Sequence, residues 1–270
     1  APLEELFQFI VDKFVNATGR RLFPIECHDI MCKIGEVVVV GGVRRSALIS
    51  LSNLNDDQMA HAKSGQWWTN EGQRALANNS VAYKGKPEMG TFMREWLSLY
   101  DSKSGERGIF NRQAAQKQAA KNGRRDVEHD FGCNPCSEII LRPYQFCNLS
   151  EVVVRATDTQ QTLTEKVRLA TILGTFQSTL TNFKYLRKIW RRNTEEERLL
   201  GVSLTGIMDN AMMSGKSAHL GMNIGATLNA LRVQAVTTNA AMASELNIPI
   251  STAITCVKPS GTVSQLVNSA

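Results

Sequence analysis

The sequence lacks any run of about eighteen apolar residues, so no helix long enough to cross a membrane is expected. It also lacks a starting Met, and Ala1-Pro2-Leu3-Glu4-Glu5 carries no charged-then-apolar leader, which argues against secretion and for a cytoplasmic protein. Cysteine is sparse: six in 270 residues do not make a disulfide scaffold, and free thiols suit a reducing cytosol. The Lys258 to Ser264 stretch has no Gly-Lys-Ser/Thr at Walker A spacing, so it is not that kind of phosphate loop. Acidic residues are outnumbered, 25 against 31 basic ones, and the net charge of +6 suits polyphosphate ligands and nucleic acid alike. What is present, 43% hydrophobic and 21% charged residues, is enough for a substantial core in one large globular domain or part of one.

The most informative stretch is Asn134-Pro135-Cys136-Ser137-Glu138, followed by Cys147 in Phe146-Cys147-Asn148-Leu149. In an extended backbone, residues two apart share a face, so Asn134, Cys136 and Glu138 would converge on one small molecule. Pro135 cannot donate a ladder hydrogen bond, and the segment therefore reads as a loop or exposed tip. Two other readings stay open on spacing. His129, Cys133, Cys136 and Cys147 are four possible zinc ligands for a nucleic-acid-binding module, although Cys147 alone does not supply the usual second ligand pair. Cys133 to Cys136 is also a C-x-x-C pair, but the thioredoxin-type motif opens a helix, whereas Glu138-Ile139-Ile140-Leu141 continues as a strand.

Two further motifs flank this one. Val37 to Val40 is a β-branched run that reads as a buried strand, stopped by Gly41-Gly42-Val43-Arg44-Arg45, where glycines free the backbone and guanidiniums offer planar donors. Near the end, Ile254 to Val257 reads as a short strand. It is followed by Lys258-Pro259-Ser260-Gly261-Thr262-Val263-Ser264, a turn whose amides and hydroxyls can meet phosphate oxygens before a helix starting near Gln265. Cys256 reads as a buried small residue and Cys27, His28 and Cys32 as core and surface residues.

The elements alternate. Helices are expected over Leu3 to Asn16, Ile25 to Glu36, Asp56 to Lys63, Met89 to Lys103, Gln113 to Asn122, Leu163 to Tyr185 and Ala226 to Leu246. Strands are expected over Ala75 to Tyr83, Val152 to Arg155 and Leu199 to Leu204. The long helix should bury Val167, Ala170, Leu173 and Leu180. The basic run Lys184, Arg187, Lys188, Arg191 and Arg192, with Tyr185 and Trp190 interleaved, reads as a helix end facing solvent or phosphate. Such alternation predicts an α/β fold with parallel strands.

Taken together, Phe131 to Leu141 and Cys147-Asn148-Leu149-Ser150-Glu151-Val152-Val153 resemble the adenosylcobalamin-dependent, or class II, ribonucleotide reductases, most closely the ribonucleoside-triphosphate reductase branch. The resemblance extends through Arg74 to Tyr83, Ser104 to Asn111 and Ala170 to Thr179. It implies an α/β barrel of ten strands in two half-barrels around a finger loop. Cys136 at its tip would become a thiyl radical, Glu138 would be the base on the ribose 3′ hydroxyl, and Asn134 would hold the ribose hydroxyls. Cys147 would be half of the reducing dithiol. Cys133 replaces a small non-cysteine residue of the family and is a bystander or a liability. The same resemblance assigns Ser260, Gly261, Thr262, Val263 and Ser264 to substrate phosphates, and Gly41, Gly42, Arg44 and Arg45 to the loop that reports the effector to the substrate base. It implies adenosylcobalamin as cofactor, a ribonucleotide substrate, a deoxynucleotide or ATP effector and a thioredoxin-like reductant, with no membrane or nucleic-acid partner. The partner strand of Cys147 and a C-terminal cysteine tail are not found in the sequence. Residues 1–270 are therefore expected to be a single incomplete barrel domain, truncated at both ends, an internal fragment inactive alone.

Overall fold

The computed structural model describes residues 2–40, 43–44, 46–103, 105–216 and 223–269. Gly41, Gly42 and Arg45 of the expected effector loop lie outside the described residues. The chain forms two compact units, Ala1–Gln118 with Asp130–Ser137, and Ala119–His129 with Glu138–Ala270.

The first unit opens with helices α1 (Pro2–Asn16) and α2 (Pro24–Val37). Pro24 suits the first helical position, where no amide partner is needed, and Glu26 accepts the Phe23 N–H at 2.7 Å. On α2, Asp29 is 1% exposed and accepts Arg74 Nε at 2.6 Å and Lys13 Nζ at 2.9 Å. Burial works against its charge, but the Arg74 and Lys13 hydrogen bonds override it and hold its carboxyl below the usual range. Cys32 packs its Sγ 3.1 Å from His28 Nδ1, and burial pushes this thiol up to about 12.

Strands β1 (Val39–Val40) and β2 (Val43–Arg44) form a short antiparallel ladder. The expected Val37 to Val40 strand is thus halved. Val37 closes α2, Val38 N–H still bonds Gly35 as in a helical turn, and the Val38 side chain is exposed. Next come β3 (Leu48–Ser52), the short helices α3 (Asp57–Ala60) and α4 (Trp67–Asn70), β4 (Ala77–Tyr83), α5 (Met89–Ser102), β5 (Gly108–Asn111), α6 (Arg112–Ala120) and β6 (Gly132–Cys133). The expected helix to Lys63 stops early. Asp56 caps Met59 N–H at 3.0 Å, but the chain turns after Ala60. The β3-β4-β5 sheet is wholly parallel, with Leu48 opposite Ala77 and Ser80 opposite Gly108. Ala77, Val81, Ala82 and Tyr83 are all buried, as a parallel strand covered on both faces requires. Gly123 takes φ +62° and donates to Ala120, stopping α6 as its glycine predicts.

The second unit contains β7 (Ile140–Leu141), β8 (Asn148–Val153), α7 (Gln160–Gln177), α8 (Lys188–Glu197), β9 (Leu200–Thr205), α9 (Ile224–Glu245) and α10 (Thr262–Leu266). Strands β8 and β9 pair in parallel, Asn148 opposite Leu200, and a parallel bridge from Val202 to Thr255 adds the Ile254 segment. Val152, Val154, Leu163, Val167, Leu200, Val202, Leu231 and Ala235 form its core between sheet and helices. Helix α7 ends eight residues before the expected Tyr185, where Thr171, Thr175 and Ser178 hydroxyls bond carbonyls three or four residues back. Val167 and Ala170 are buried as expected, whereas Leu173 and Leu180 face solvent, because the buried stripe continues through Thr171 and Gly174 instead. The basic run lies at the start of α8. There Trp190 packs on Tyr144 and Phe146, and Arg187 lies over the Tyr144 ring, while Tyr185 is exposed.

Candidate active site

In the first unit, β6 leads into a four-residue turn. Ser137 N–H donates to Asn134 O at 2.9 Å, with Pro135 at the second position, where its fixed φ fits. The exposed turn agrees with a tip, but the extended alternation of Asn134, Cys136 and Glu138 does not form, because the chain curls at Pro135-Cys136 and Ser137 takes φ +64°. Cys136 occupies the third position as an exposed free thiol. Asn78 on β4 donates its Nδ2 to Pro135 O at 2.7 Å and so fastens the turn to the parallel sheet. Cys133 Sγ lies 3.4 Å from Ser137 Oγ, inside the same turn.

In the second unit, Cys147 precedes β8, where Asn148 N–H and Nδ2 both donate to Leu199 O. Side chains alternate along a strand, so Cys147, Leu149 and Glu151 share one face. Leu149 pairs with Gly201, where a Cβ would collide with the Leu149 tip and stand 3.2 Å from Cys256 Sγ and 3.3 Å from Ile139 Cδ1. Glycine at this point lets Ile139, Leu149 and Cys256 close over one face of the sheet.

On that side Glu138, with its side chain 5% exposed, accepts Lys258 Nζ at 2.8 Å. Lys258 is itself anchored, since its backbone N–H donates to Ser203 Oγ at 2.8 Å. Burial raises the Cys147 thiol to about 12, and Cys256 and Glu138 add to the rise against the opposing charges of Arg125 and Lys258. Cys256 is raised to about 11 by burial, with Glu138 again contributing. A buried carboxylate thus stands near two thiols kept protonated, an arrangement suited to accepting a proton and giving hydrogen rather than to nucleophilic attack.

The phosphate-loop candidates continue from Lys258. Ser260 Oγ accepts Ser264 N–H at 3.0 Å and Ser264 Oγ donates to Ser260 O at 2.7 Å, so these two hydroxyls close the loop on itself. Gly261 has open space at its Cβ position, and Thr262 and Val263 begin α10, which starts three residues ahead of the expected Gln265. Arg44 is placed only by its backbone in β2. Among the described residues no three His, Cys, Asp or Glu side chains gather as a metal set, and His129 Nε2 stands 3.2 Å from Arg142 Nη1.

The second unit therefore brings together Glu138, Cys147 and the root of the phosphate loop, while Asn134 and Cys136 belong to the first. Sequence reading missed Asn78 and Lys258. Each lies inside a segment that the sequence singles out, but neither polar residue betrays by its spacing that it would reach a partner 57 or 120 residues away in the chain.

No family model matches the chain. Its fold is similar to that of solved ribonucleotide reductases. The crystal structure of a B12-dependent (class II) ribonucleotide reductase superposes with TM-score 0.75 and 24% identity over 100% of this chain and 39% of that one. The Actinobacillus ureae class Id ribonucleotide reductase alpha subunit gives TM-score 0.57 at 13% identity, over 88% and 50%. In sequence, the adenosylcobalamin-dependent ribonucleoside-triphosphate reductase of Lacticaseibacillus paracasei is 32% identical over 204 residues, 74% of this chain and 26% of the relative. The Levilactobacillus brevis protein of the same name is 29% identical over 290 residues, 98% of this chain and 38% of the relative. The chain belongs to the adenosylcobalamin-dependent ribonucleotide reductase family and spans 26% and 38% of the length of these two relatives.

Proposed function

We propose that this chain carries the catalytic centre of an adenosylcobalamin-dependent reductase that converts ribonucleoside triphosphates to 2′-deoxyribonucleotides for DNA synthesis. The observation that carries the reading is the Glu138 carboxylate, its side chain 5% exposed and held by Lys258 Nζ at 2.8 Å, in the same unit as the Cys147 thiol that burial pushes up to about 12. In this reading the two parallel sheets belong to a ten-stranded barrel, and the Asn134 to Ser137 turn is the tip of its finger loop.

Cys136, exposed on a turn fastened by Asn78, fits a thiol that receives a radical from outside its own unit. Adenosylcobalamin, when bound, would supply the radical chemistry for Cys136. The Cys136 sulfur radical then takes the ribose 3′ hydrogen, and Glu138 takes the 3′ hydroxyl proton, a general-base contribution of about a hundredfold to ten-thousandfold. Asn134 orients the ribose hydroxyls. The 2′ hydroxyl leaves as water, two electrons and two protons come from Cys147 and a partner thiol as they form a disulfide, Cys136 returns the hydrogen to the 3′ carbon, and a thioredoxin-like reductant restores the dithiol. Ser260 to Ser264 bind the substrate phosphates, and Gly41, Gly42, Arg44 and Arg45 convey the state of a deoxynucleotide or ATP effector.

The test is Cys136→Ser in the full-length protein, assayed with adenosylcobalamin against ribonucleoside triphosphates and diphosphates. Reduction is abolished while nucleotide binding, followed by equilibrium dialysis, persists. Retained reduction refutes the radical role, and stoichiometric zinc with salt-sensitive DNA affinity in the wild-type protein refutes the whole reading.

A further inference from the structure

The phosphate loop and the candidate base are joined by one side chain. Lys258 begins the loop, its backbone N–H is fixed on Ser203 Oγ at 2.8 Å, and its ammonium reaches Glu138 Oε1 at 2.8 Å. Glu138 is nearly closed off from water, with its side chain 5% exposed, while Lys258 keeps 33%. A carboxylate withdrawn from water stays ionised only with a compensating charge, and a lysine that remains partly hydrated supplies it at the least desolvation cost. Burial raises the Cys147 thiol before β8 and the Cys256 thiol beyond β9, and the Glu138 charge adds to both rises. Arg125 acts on Cys147 but is engaged with Glu197 at 2.9 Å, and Glu151 acts on Cys256.

We propose that Lys258 is a positioning residue for the reaction, holding Glu138 ionised and aimed, and tying that state to the loop assigned to the substrate phosphates. This rests on the reading of Glu138 as the 3′ base. Phosphate arriving on Ser260 to Ser264 lands beside the root of Lys258, so the lysine is shared between the anion it helps to seat and the base it keeps charged. A triphosphate that seats the loop correctly therefore also sets the base, whereas a ligand bound by its base and sugar alone does not. No covalent chemistry passes through Lys258.

The experiment compares Lys258→Met, Lys258→Arg and Glu138→Gln in the full-length enzyme with adenosylcobalamin and a ribonucleoside triphosphate, measuring kcat and KM from pH 5 to 9. Removing an opposite charge at this range raises a carboxyl pKa, so in Lys258→Met the acid limb of kcat moves up by about one to three pH units, with kcat changed more than KM. Lys258→Arg keeps the cation and keeps the limb. If Lys258→Met raises KM and leaves the limb in place, Lys258 serves the phosphates alone and the proposal fails. If Lys258→Met is inactive at every pH, an isotope-edited infrared titration of Glu138, identified by its loss in Glu138→Gln, reads the same shift without turnover, and an unshifted band overturns the proposal. Full activity in Glu138→Gln would instead refute the base assignment beneath it, so the two failures are told apart.

Discussion

The protonated state of Cys147 can be tested on the native protein by alkylation. Burial, the neighbouring Cys256 thiol and the Glu138 carboxylate put the Cys147 pKa at about 12. At pH 8 such a thiol is ionised to about one part in ten thousand, against about one part in four for an ordinary cysteine near 8.5. The more basic thiolate is also the better nucleophile, and a Brønsted slope near 0.4–0.5 recovers about fortyfold of that deficit. Cys147 should therefore react with iodoacetamide about sixtyfold more slowly than a cysteine peptide at pH 8, before any loss from restricted access. The pH course is the sharper readout. The Cys147 rate rises about tenfold per pH unit through pH 10, while the peptide levels off above about pH 9. Short alkylation pulses with peptide mapping by mass spectrometry measure both. A Cys147 rate within threefold of the peptide, or a plateau by pH 9.5, would refute the electrostatic description of this site and its thiol as a hydrogen donor.

Other consequences concern the fold. Cys32, 1% exposed and raised to about 12, keeps a proton that the unfolded chain releases above about 8.5, so alkali favours unfolding. The contribution falls with a slope of up to about 1.4 kcal/mol per pH unit between the two values. Cys32→Ala should flatten the decline of urea midpoints from pH 9 to 11, and parallel wild-type and variant curves would contradict it. Arg74→Met leaves Asp29 buried with Lys13 as its remaining cation, and should cost about 3 kcal/mol by urea denaturation at pH 7. A loss below about 1 kcal/mol would mean that Lys13 alone satisfies the carboxylate.

Some elements were legible in the residues and some were not. Helices α1, α2, α5 and α9 follow apolar spacing and glycine or proline punctuation, which act over a few neighbours, and they lie within two residues of expectation. Val37 to Val40 misled because β-branched residues favour strands only when tertiary packing permits, and helix α2 carried its hydrogen bonding on through Val37. The long helix stops short of the expected Tyr185 because its last turns contain Ser178 and Thr179, whose hydroxyls bond backbone carbonyls three residues back. Leu173 and Leu180 then had no buried face to join.

By itself, the sequence determined the chemistry available. It held a thiol on a proline turn, a carboxylate two residues after that thiol, a second thiol eleven residues after it and a glycine-serine loop, and these were enough to name the family. Such identities are local and covalent, and no folding is needed to read them. Only the tertiary structure decided which groups stand together. Parallel pairing of β8 with β9 and Thr255 sets residues from 138, 147, 201, 203, 256 and 258 side by side, and closure over Gly201 raises the thiols. The Lys258–Glu138 pair spans 120 residues of sequence, a separation that no spacing rule reaches and that the fold closes by holding the Lys258 backbone on Ser203 of β9.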